Sequence, residues 1–556
     1  MSLIANITVY LRTKYNMNGL LLVNVVNIWS GSSNFLTLGG ALLSDAYLGR
    51  FWTLLIGSII SMLGMGIMTL GAGVPKLRPP NCDPEADYCT PPTILQLSVL
   101  ITALIVLAFG SGCLRPCNIA FGADQFDTTT ERGRSQLSRF YNWWYFSFTI
   151  SLLVALTVIV YIQTNISWTI GFAIPTACFG CSIIIFLVGH PYYICMKPKG
   201  SMIFFDIVKV IVASYRKRNL ILDDKHEGHN PMFYDPPIQI DEQMDHMICK
   251  LSRSNRLKFL DKAALINERN ELDDEGKVID NWRLCSVQQV EQLKSLIGIL
   301  PVWVAGILCF VSMDQQNTFG ILQSIQMNRK VGSRFLIPPA WTGFVSMVAL
   351  SVWILSYERL ILPLARKLMK TENSNVRLSV SARIKIGIVM SILCMGIAAF
   401  VESKRRNEAL RKGSFVSPLY VGYLVPQLIL SGLTEAFAAV TIMEFFTTQM
   451  PEYMRSVAGS IFFISLSMAN YLATAIVNII YQVTRRSDGK AWLGGRDLNH
   501  NRLDYFYAII GFIGIFNFFY FSFFASKFIF VNNKNKIIRT ETFEPSSSLD
   551  THTRME

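Results

Sequence analysis

Two charged side chains stand inside apolar stretches, where a charge is costly. Arg115 interrupts GSGCLRPCNIAFGADQFD at 110–127, and Glu435 lies in SPLYVGYLVPQLILSGLTEAFAAVTIMEFF with about a dozen mostly apolar residues on either side. A guanidinium at hydrocarbon depth costs about 2.5–3.5 kcal/mol, so it either faces a cavity or a carboxylate, or snorkels to the interface. A lone carboxylate in the same setting is a candidate proton or substrate site. Glu444 follows Glu435 by nine residues, which at about 100° per residue turns it to nearly the opposite side. With Arg455 beyond it, Glu444 reads as half of a structural ion pair. Asn27 and Asn34 are seven residues apart, as are Gln316 and Gln323, so each pair shares a helix face. Such amides bind the polar oxygens of a solute or bond neighbouring helices. Tyr145 closes the aromatic group Tyr141, Trp143 and Trp144, an interfacial belt or a sugar-stacking platform. Cys82 and Cys89 in PNCDPEADYC could form a disulfide in an oxidising compartment. The other cysteines are scattered without zinc spacing, and the histidines lie in loops or at span ends. No catalytic group and no metal site is expected.

The elements that carry these residues follow from composition. Of 556 residues, 51% are hydrophobic and only 16% charged, and the mean hydropathy is +0.36. Soluble domains carry about a quarter charged residues. The net charge of +13 therefore belongs to the loops of a membrane protein and not to a nucleic-acid-binding surface. Apolar runs of spanning length lie near 22–44, 51–73, 94–114, 140–162, 168–190, 292–312, 336–356, 381–401, 417–441, 457–481 and 505–530. Residues 1–11, MSLIANITVYL, are long enough for about half a span. The fold class expected is an all-α membrane protein with two six-helix bundles, span one truncated. This is the layout of the major facilitator fold. Residues 1–191 form the N-terminal bundle and 192–290 a cytoplasmic loop. Residues 291–530 form the C-terminal bundle and 531–556 a disordered tail. Within the loop, MIFFDIVKVIVASY at 202–215 ends in RKRNL and suits an amphipathic helix lying along the membrane face. Arg50, the cluster Arg132, Arg134 and Arg139, the central loop and the tail put most basic loops on one side, the cytoplasmic one. The loop 402–412, ESKRRNEALRK, violates that rule. GALLSDAYLGR at 40–50 matches the major facilitator signature between spans two and three, so Asp45 and Arg50, with Asp124, are the expected cytoplasmic gate.

With these motifs in place, the chain resembles the plant nitrate and peptide transporter family, the plant branch of the proton-dependent oligopeptide transporters. The resemblance covers the whole chain. It rests on NIWSG at 27–31, SDAYLGR at 44–50, the block ending FGADQFD, FYNWWYFSF at 140–148, FLDKAAL at 259–265, QVEQLKSLIGILPVW at 289–303, IPPAW at 337–341, EFFTTQMPEYMRS at 444–456 and LNHNRLDYFY at 498–507. The wording RPCNIAFGADQFD and IGFAIPTA is most similar to the subfamily of low-affinity nitrate and glucosinolate or other glycoside carriers. The resemblance implies alternating access with protons as the coupling ion and no other cofactor. Arg115 then matches the span-four cation, usually lysine, and Glu435 the span-ten carboxylate that meets a substrate amine in peptide-transporting relatives. Met313 stands where some nitrate carriers place a histidine, and Cys113 replaces a common glycine. Family members carry an acidic ExxE motif in the first half of span one, and this chain starts after it. Either the frame starts at an internal methionine or a genuine short form lacks the motif. The first is preferred, because an unneutralised Arg115 is costly.

The expected function is secondary transport of nitrate or a larger anionic or glycosylated small molecule, proton-coupled, in the plasma membrane rather than the vacuolar one. The alternative is a transport-deficient truncated form acting as a sensor or regulatory partner. A membrane enzyme is not expected.

Overall fold

The computed structural model of the protein describes residues 2–80, 82, 89–126, 130–195, 203–220, 233–236, 253–254, 256–266, 271–273, 278–280, 282–332, 335–369, 378–449, 455–485 and 491–529. They fall into two compact units. Residues 1–201, 303–448 and 453–520 make the first, and residues 202–302, 449–452 and 521–556 the second, among the described residues of each. The tail 531–556 lies outside the described residues, as does most of 220–250.

The first unit is almost entirely helical. The short α1 (Ser2–Lys14) precedes α2 (Gly19–Leu43), α3 (Gly49–Gly73), α4 (Ile94–Ala123), α5 (Glu131–Val154) and α6 (Trp168–Val188). The second unit holds α7 (Ile203–Arg216), α8 (Lys258–Asp261) and the start of α9 (Val287–Ile325). Next in the chain come α10 (Trp341–Ser356), α11 (Leu362–Met369), α12 (Val380–Lys412), α13 (Val425–Thr434), α14 (Val440–Gln449), α15 (Arg455–Thr484) and α16 (Leu503–Tyr520). Among the described residues, ten continuous helical stretches are long and apolar enough to cross a membrane. The first, Gly19–Gly73, holds two spans, because it turns at Ser44–Leu48 and restarts at Gly49 with φ 75°. That left-handed backbone favours glycine. Each expected span is helical over most of its length, with residues 336–340 and 417–420 lying outside helix, and the protein is a multi-pass, all-α membrane protein. Two small sheets accompany the helices. β1 (Met327–Asn328) pairs in parallel with β4 (Ser417–Tyr420), and β2 (Lys330–Val331) pairs antiparallel with β3 (Phe335–Leu336).

The helices begin where side chains can serve their orphan N–H groups. Asn18 accepts from the Leu21 N–H to start α2, and Thr93 with Gln96 forms a reciprocal capping box at the head of α4. Three boundaries differ from the sequence expectation. Thr130 caps α5 by accepting from the Gly133 N–H, so the polar segment ERGRSQLSR is helical. Tyr141, Trp143 and Trp144 consequently lie well inside α5 and do not open it. The helix α4 runs on to Ala123, which puts Arg115 about two turns from its end. The largest difference is at 402–412, expected as a loop and found as the last turns of α12, closed by Gly413 at φ 62°. Two of the charges in those turns, Glu402 and Arg405, are used internally, while Lys404, Arg411 and Lys412 stay exposed. Arg405 donates from Nε and Nη2 to both Glu402 oxygens at 2.8 Å and from Nη1 to Asn499 at 2.8 Å, with Glu402 and Arg405 fully buried. Hydropathy counts these groups as loop charge, whereas the fold pairs them.

Candidate translocation pathway

We take as the inner end of the first unit the one that holds Arg50 and Asp124. Asp45 sits in the turn Ser44–Leu48, Arg50 in the first turn of α3, and Asp124 caps the C-terminus of α4. Arg50 donates from Nη1 to Asp124 Oδ1 at 2.5 Å, and its Nε lies 3.8 Å from Asp45 Oδ1. The three residues expected as a gate thus converge on one guanidinium. In the second bundle, Glu444 is held by Arg383 of α12 through two bonds of 2.7 and 2.9 Å. The ion pair expected for Glu444 exists, with Arg383 as its partner. The Arg455 side chain lies outside the described ones.

Above this end, α2 and α4 run side by side, with Ser33 Oγ 2.9 Å from Ser111 Oγ. That packing brings Asn34 opposite Arg115, whose Nη1 donates to Asn34 Oδ1. A guanidinium has five N–H donors and Asn34 takes one of them. Among the described residues no carboxylate accepts from Arg115, and the neutral amide of Asn34 orients the cation. Arg115 is partly exposed within the helix, which fits the cavity reading better than snorkelling to an interface two turns away. Asn27, seven residues before Asn34 on α2, is fully buried, and neither of its side-chain polar atoms has a partner among the described residues. Cys113 occupies its family-glycine position by packing on the glycine face of α3 at Gly57.

The second bundle separates the predicted polar residues into two groups. Gln316 and Gln323 belong to an interhelical network. Gln427 of α13 donates to Gln316 Oε1 at 3.0 Å and to Gln323 Oε1 at 3.1 Å. Tyr507 donates to Gln323 Oε1 at 3.0 Å, and Gln323 donates to Glu402 at 2.8 Å. Both glutamines are buried, and the bonds they make join neighbouring helices. The side chain of Tyr145 lies outside the described ones. Glu435 opens a π-helical turn, Glu435–Ala439, between α13 and α14. Such turns concentrate at functional sites, because the extra residue re-aims side chains. The Glu435 carboxylate has no hydrogen-bond partner among the described residues.

Asp314 of α9 was missed by sequence reasoning. Its Oδ2 is covered and without a hydrogen bond among the described residues. Ser312 and Gln316 point into the bundle, toward Ser391 of α12 at 2.6 Å and toward Gln427. Asp314 is about 200° from each and about 180° from Gln323, so it occupies the opposite face of α9, near the exposed Asn317. Its height can be placed. The helices α9 and α13–α14 run antiparallel, with Gln316 level with Gln427 and Gly306 beside Ile442, which sets Glu435 within about one turn of Asp314 along the bundle. The unit therefore offers one cation held by an amide in the first bundle and two carboxylates without hydrogen-bond partners in the second. That combination can bind an anion and take up and release protons.

At the other end of the unit, Asn24 and Asn478 exchange amide hydrogen bonds of 3.1 and 2.9 Å, while midway along α2, two residues before Asn34, Ser32 Oγ lies 3.0 Å from the Tyr471 hydroxyl. Tyr161 stacks on Phe335 with ring centroids 6.1 Å apart. Among the described residues, the Asn24–Asn478 and Tyr161–Phe335 pairs join the two bundles at the outer end. Here too Cys82 and Cys89 are joined as a disulfide, with Cα atoms 5.8 Å apart.

Three comparisons bear on this arrangement. The pattern of the PTR2 family, described as the POT family, matches residues 51–493. Protein NRT1/PTR FAMILY 2.8 of Arabidopsis thaliana is 52% identical over 536 residues, covering 96% of this chain and 93% of that protein. Protein NRT1/PTR FAMILY 2.12 of Arabidopsis thaliana is 41% identical over 525 residues, covering 94% of this chain and 88% of that protein. The solved structure of the POT family transporter PepTSo superimposes with a TM-score of 0.65 at 15% identity, covering 95% of this chain and 94% of that one. A likeness at that identity speaks to the fold alone, and the fold is that of the major facilitator transporters.

Proposed function

Since this chain belongs to the POT family, whose members are membrane transporters and not enzymes, we propose that it is a proton-coupled symporter of a small anion, working by alternating access. The substrate class is nitrate or a larger organic anion such as a glucosinolate or another glycosylated metabolite. The plasma membrane is its expected location. The observation that carries this reading is Arg115, a cation inside a spanning helix whose described partner is the neutral amide of Asn34. A buried charge is costly until something compensates it, and an anionic solute supplies the compensation. Asp314 and Glu435 are the groups proposed to exchange the coupling proton, since each lacks a hydrogen-bond partner among the described residues. The Asn24–Asn478 and Tyr161–Phe335 pairs then make the outer gate, with Asp45, Arg50 and Asp124 the inner one.

The test is uptake by the full chain in proteoliposomes, with and without an inward proton gradient, over a panel of nitrate, glucosinolates and flavonoid or terpenoid glycosides. Gradient-dependent uptake of at least one anion, lost in R115Q, is the expected result. Absence of gradient-dependent uptake across the panel overturns the proposal.

A further inference from the structure

At the outer end of the first bundle, the last turns of α1, the chain leaving α3 and the turn from α5 into α6 enclose a cavity of about 390 Å³. Two cations line it, Lys14 from α1 and Arg78 from the segment after Pro75–Leu77, and no acidic residue does. Several of the other polar groups on its wall are already committed. Gln163 accepts from Asn6 and donates to the Gly171 carbonyl, and the Thr164 hydroxyl donates to the Val160 carbonyl of its own helix. What remains is a set of donors. The hydroxyls of Ser167 and Thr169 and the guanidinium of Arg78 have no hydrogen-bond partner among the described residues. The helix α6 starts in the same wall, and Ser167 makes no side-chain cap, so the positive end of its dipole adds to the two bases.

Helix-end electrostatics account for Lys14 alone, because a lysine in the last turn of α1 complements its C-terminal carbonyls. Arg78 follows a three-residue turn and serves no such end. Two bases, free hydroxyls and an uncapped helix start, with no carboxylate among them, complement a ligand that offers several acceptor oxygens and more than one negative charge. The volume lies at the low end of the roughly 300–1,000 Å³ of small-molecule sites, which suits a hydrated ion or a single headgroup better than a large solute. The cavity is also remote from Arg115, which stands about two turns from the inner end of α4, whereas Lys14, Arg78 and Ser167 stand at outer helix ends.

We propose that this cavity binds a divalent tetrahedral oxyanion, sulfate or a phosphate group, held between Lys14 and Arg78 and oriented by the Ser167 and Thr169 hydroxyls at the head of α6. Its occupant ties the outer ends of α1, α3 and α6 together. The site is independent of the transported solute. A phosphate group reaches it as a free ion from the medium or as a lipid headgroup of the outer leaflet, and the experiment separates these sources.

The test is isothermal titration of sodium sulfate into the purified full chain in maltoside detergent at constant ionic strength, in an R115Q background so that the inner cation does not contribute. One saturable site is expected, with nitrate about tenfold weaker because it carries half the charge. K14Q and R78Q should each weaken sulfate about tenfold, the order of effect of one charge beside a dianion. K14R and R78K keep the charge and should stay within about threefold of the parent, which separates loss of the site from damage to the fold. Competition by phosphatidic acid and not by phosphatidylcholine supports the site with a lipid phosphate as occupant, and indifference to both lipids supports it with an ion from the medium. Absence of saturable sulfate binding, or equal binding in the parent, K14Q and R78Q, overturns the proposal.

Discussion

Arg405 and Glu402, one turn apart on α12, form a two-bond ion pair with neither side chain exposed, and the pair organises the outer end of the second bundle. Glu402 also accepts from Gln323 of α9, and Arg405 reaches Asn499, whose amide donates to the Ser414 and Phe415 carbonyls at 3.3 and 3.1 Å. Removing one member leaves a buried charge without its counter-charge, which costs about 3–5 kcal/mol. R405A and E402Q should therefore each lower the thermal midpoint of the purified protein markedly. The double variant R405Q/E402Q, which removes both charges, should recover much of the loss. Equal damage in the single and double variants would assign the stability to the surrounding amides and not to the ion pair.

Asn34 and Arg115 give the most direct test of anion recognition. In N34D a carboxylate stands against the guanidinium, so the site neutralises itself and an incoming anion must compete with a covalently tethered one. The KM for the transported anion should rise tenfold or more, with a smaller change in maximal rate. N34A removes one hydrogen bond and keeps the charge, so its KM should rise only a few fold, in keeping with a net bond of about 1 kcal/mol. Initial-rate uptake across substrate concentration separates the two.

Asp314 and Glu435 divide by what each loses when neutralised. D314N removes an acid with no hydrogen-bond partner among the described residues, so gradient-driven accumulation should fall to background while exchange of labelled for unlabelled substrate persists. E435Q, at the head of the π-helical turn, should depress exchange as well if that carboxylate meets the solute. Parallel accumulation and counterflow assays read the difference. Intact accumulation in D314N would remove Asp314 from the coupling path.

The spanning helices were legible because apolar runs of about twenty residues have few other solutions in a chain with so few charges. Where charge sits inside a helix, the same reading fails. The segment 402–412 looks like a loop because hydropathy cannot tell a solvated arginine from one bonded to Glu402 and Asn499. Asp314 carries the signal that singled out Glu435, a lone acid beside a long apolar run. Yet it opens the polar cluster DQQNT, which reads as the end of a span, and α9 continues through it to Ile325. The gate residues were legible from the short spacing of Asp45 and Arg50, and Asp124 joins them through packing of α3 on α4. The amides were ambiguous by nature. Asn34 and Gln323 share a residue class and a seven-residue pattern, and only tertiary partners separate a group that orients Arg115 from one saturated by Gln427, Tyr507 and Glu402.

Cys285 and Cys195 should differ sharply toward thiol reagents. Burial pushes the Cys285 thiol up to about 11, with nearby Asp206 adding to the rise against Lys209 and Lys217, whereas Cys195 is exposed. At about pH 7 a maleimide should modify Cys195 and spare Cys285 until the protein unfolds, as peptide mass mapping would show. The sign for stability follows. A thiol whose folded pKa is raised contributes fully below its unfolded value of about 8.5, and that contribution is lost as pH climbs toward 11. Rapid labelling of Cys285 in the native protein would show that its core opens readily.

Asn24 of α2 and Asn478 of α15 close the outer end with two reciprocal amide bonds, which carry no charge and so should be insensitive to pH across the transport range. Interhelical bonds of this kind average about 0.6 kcal/mol and reach about 1.7, so N478A should shift the population open at that end by roughly three- to twentyfold. Asn27, one turn inward on α2 and fully buried, supplies the reporter. In an N27C background an impermeant maleimide added from outside should label faster by the same factor once N478A is introduced. N24A should match N478A, and the double variant should add little, because either substitution alone breaks both bonds. If neither variant changes the labelling rate, the amide pair contributes packing only and the outer gate rests on Tyr161–Phe335.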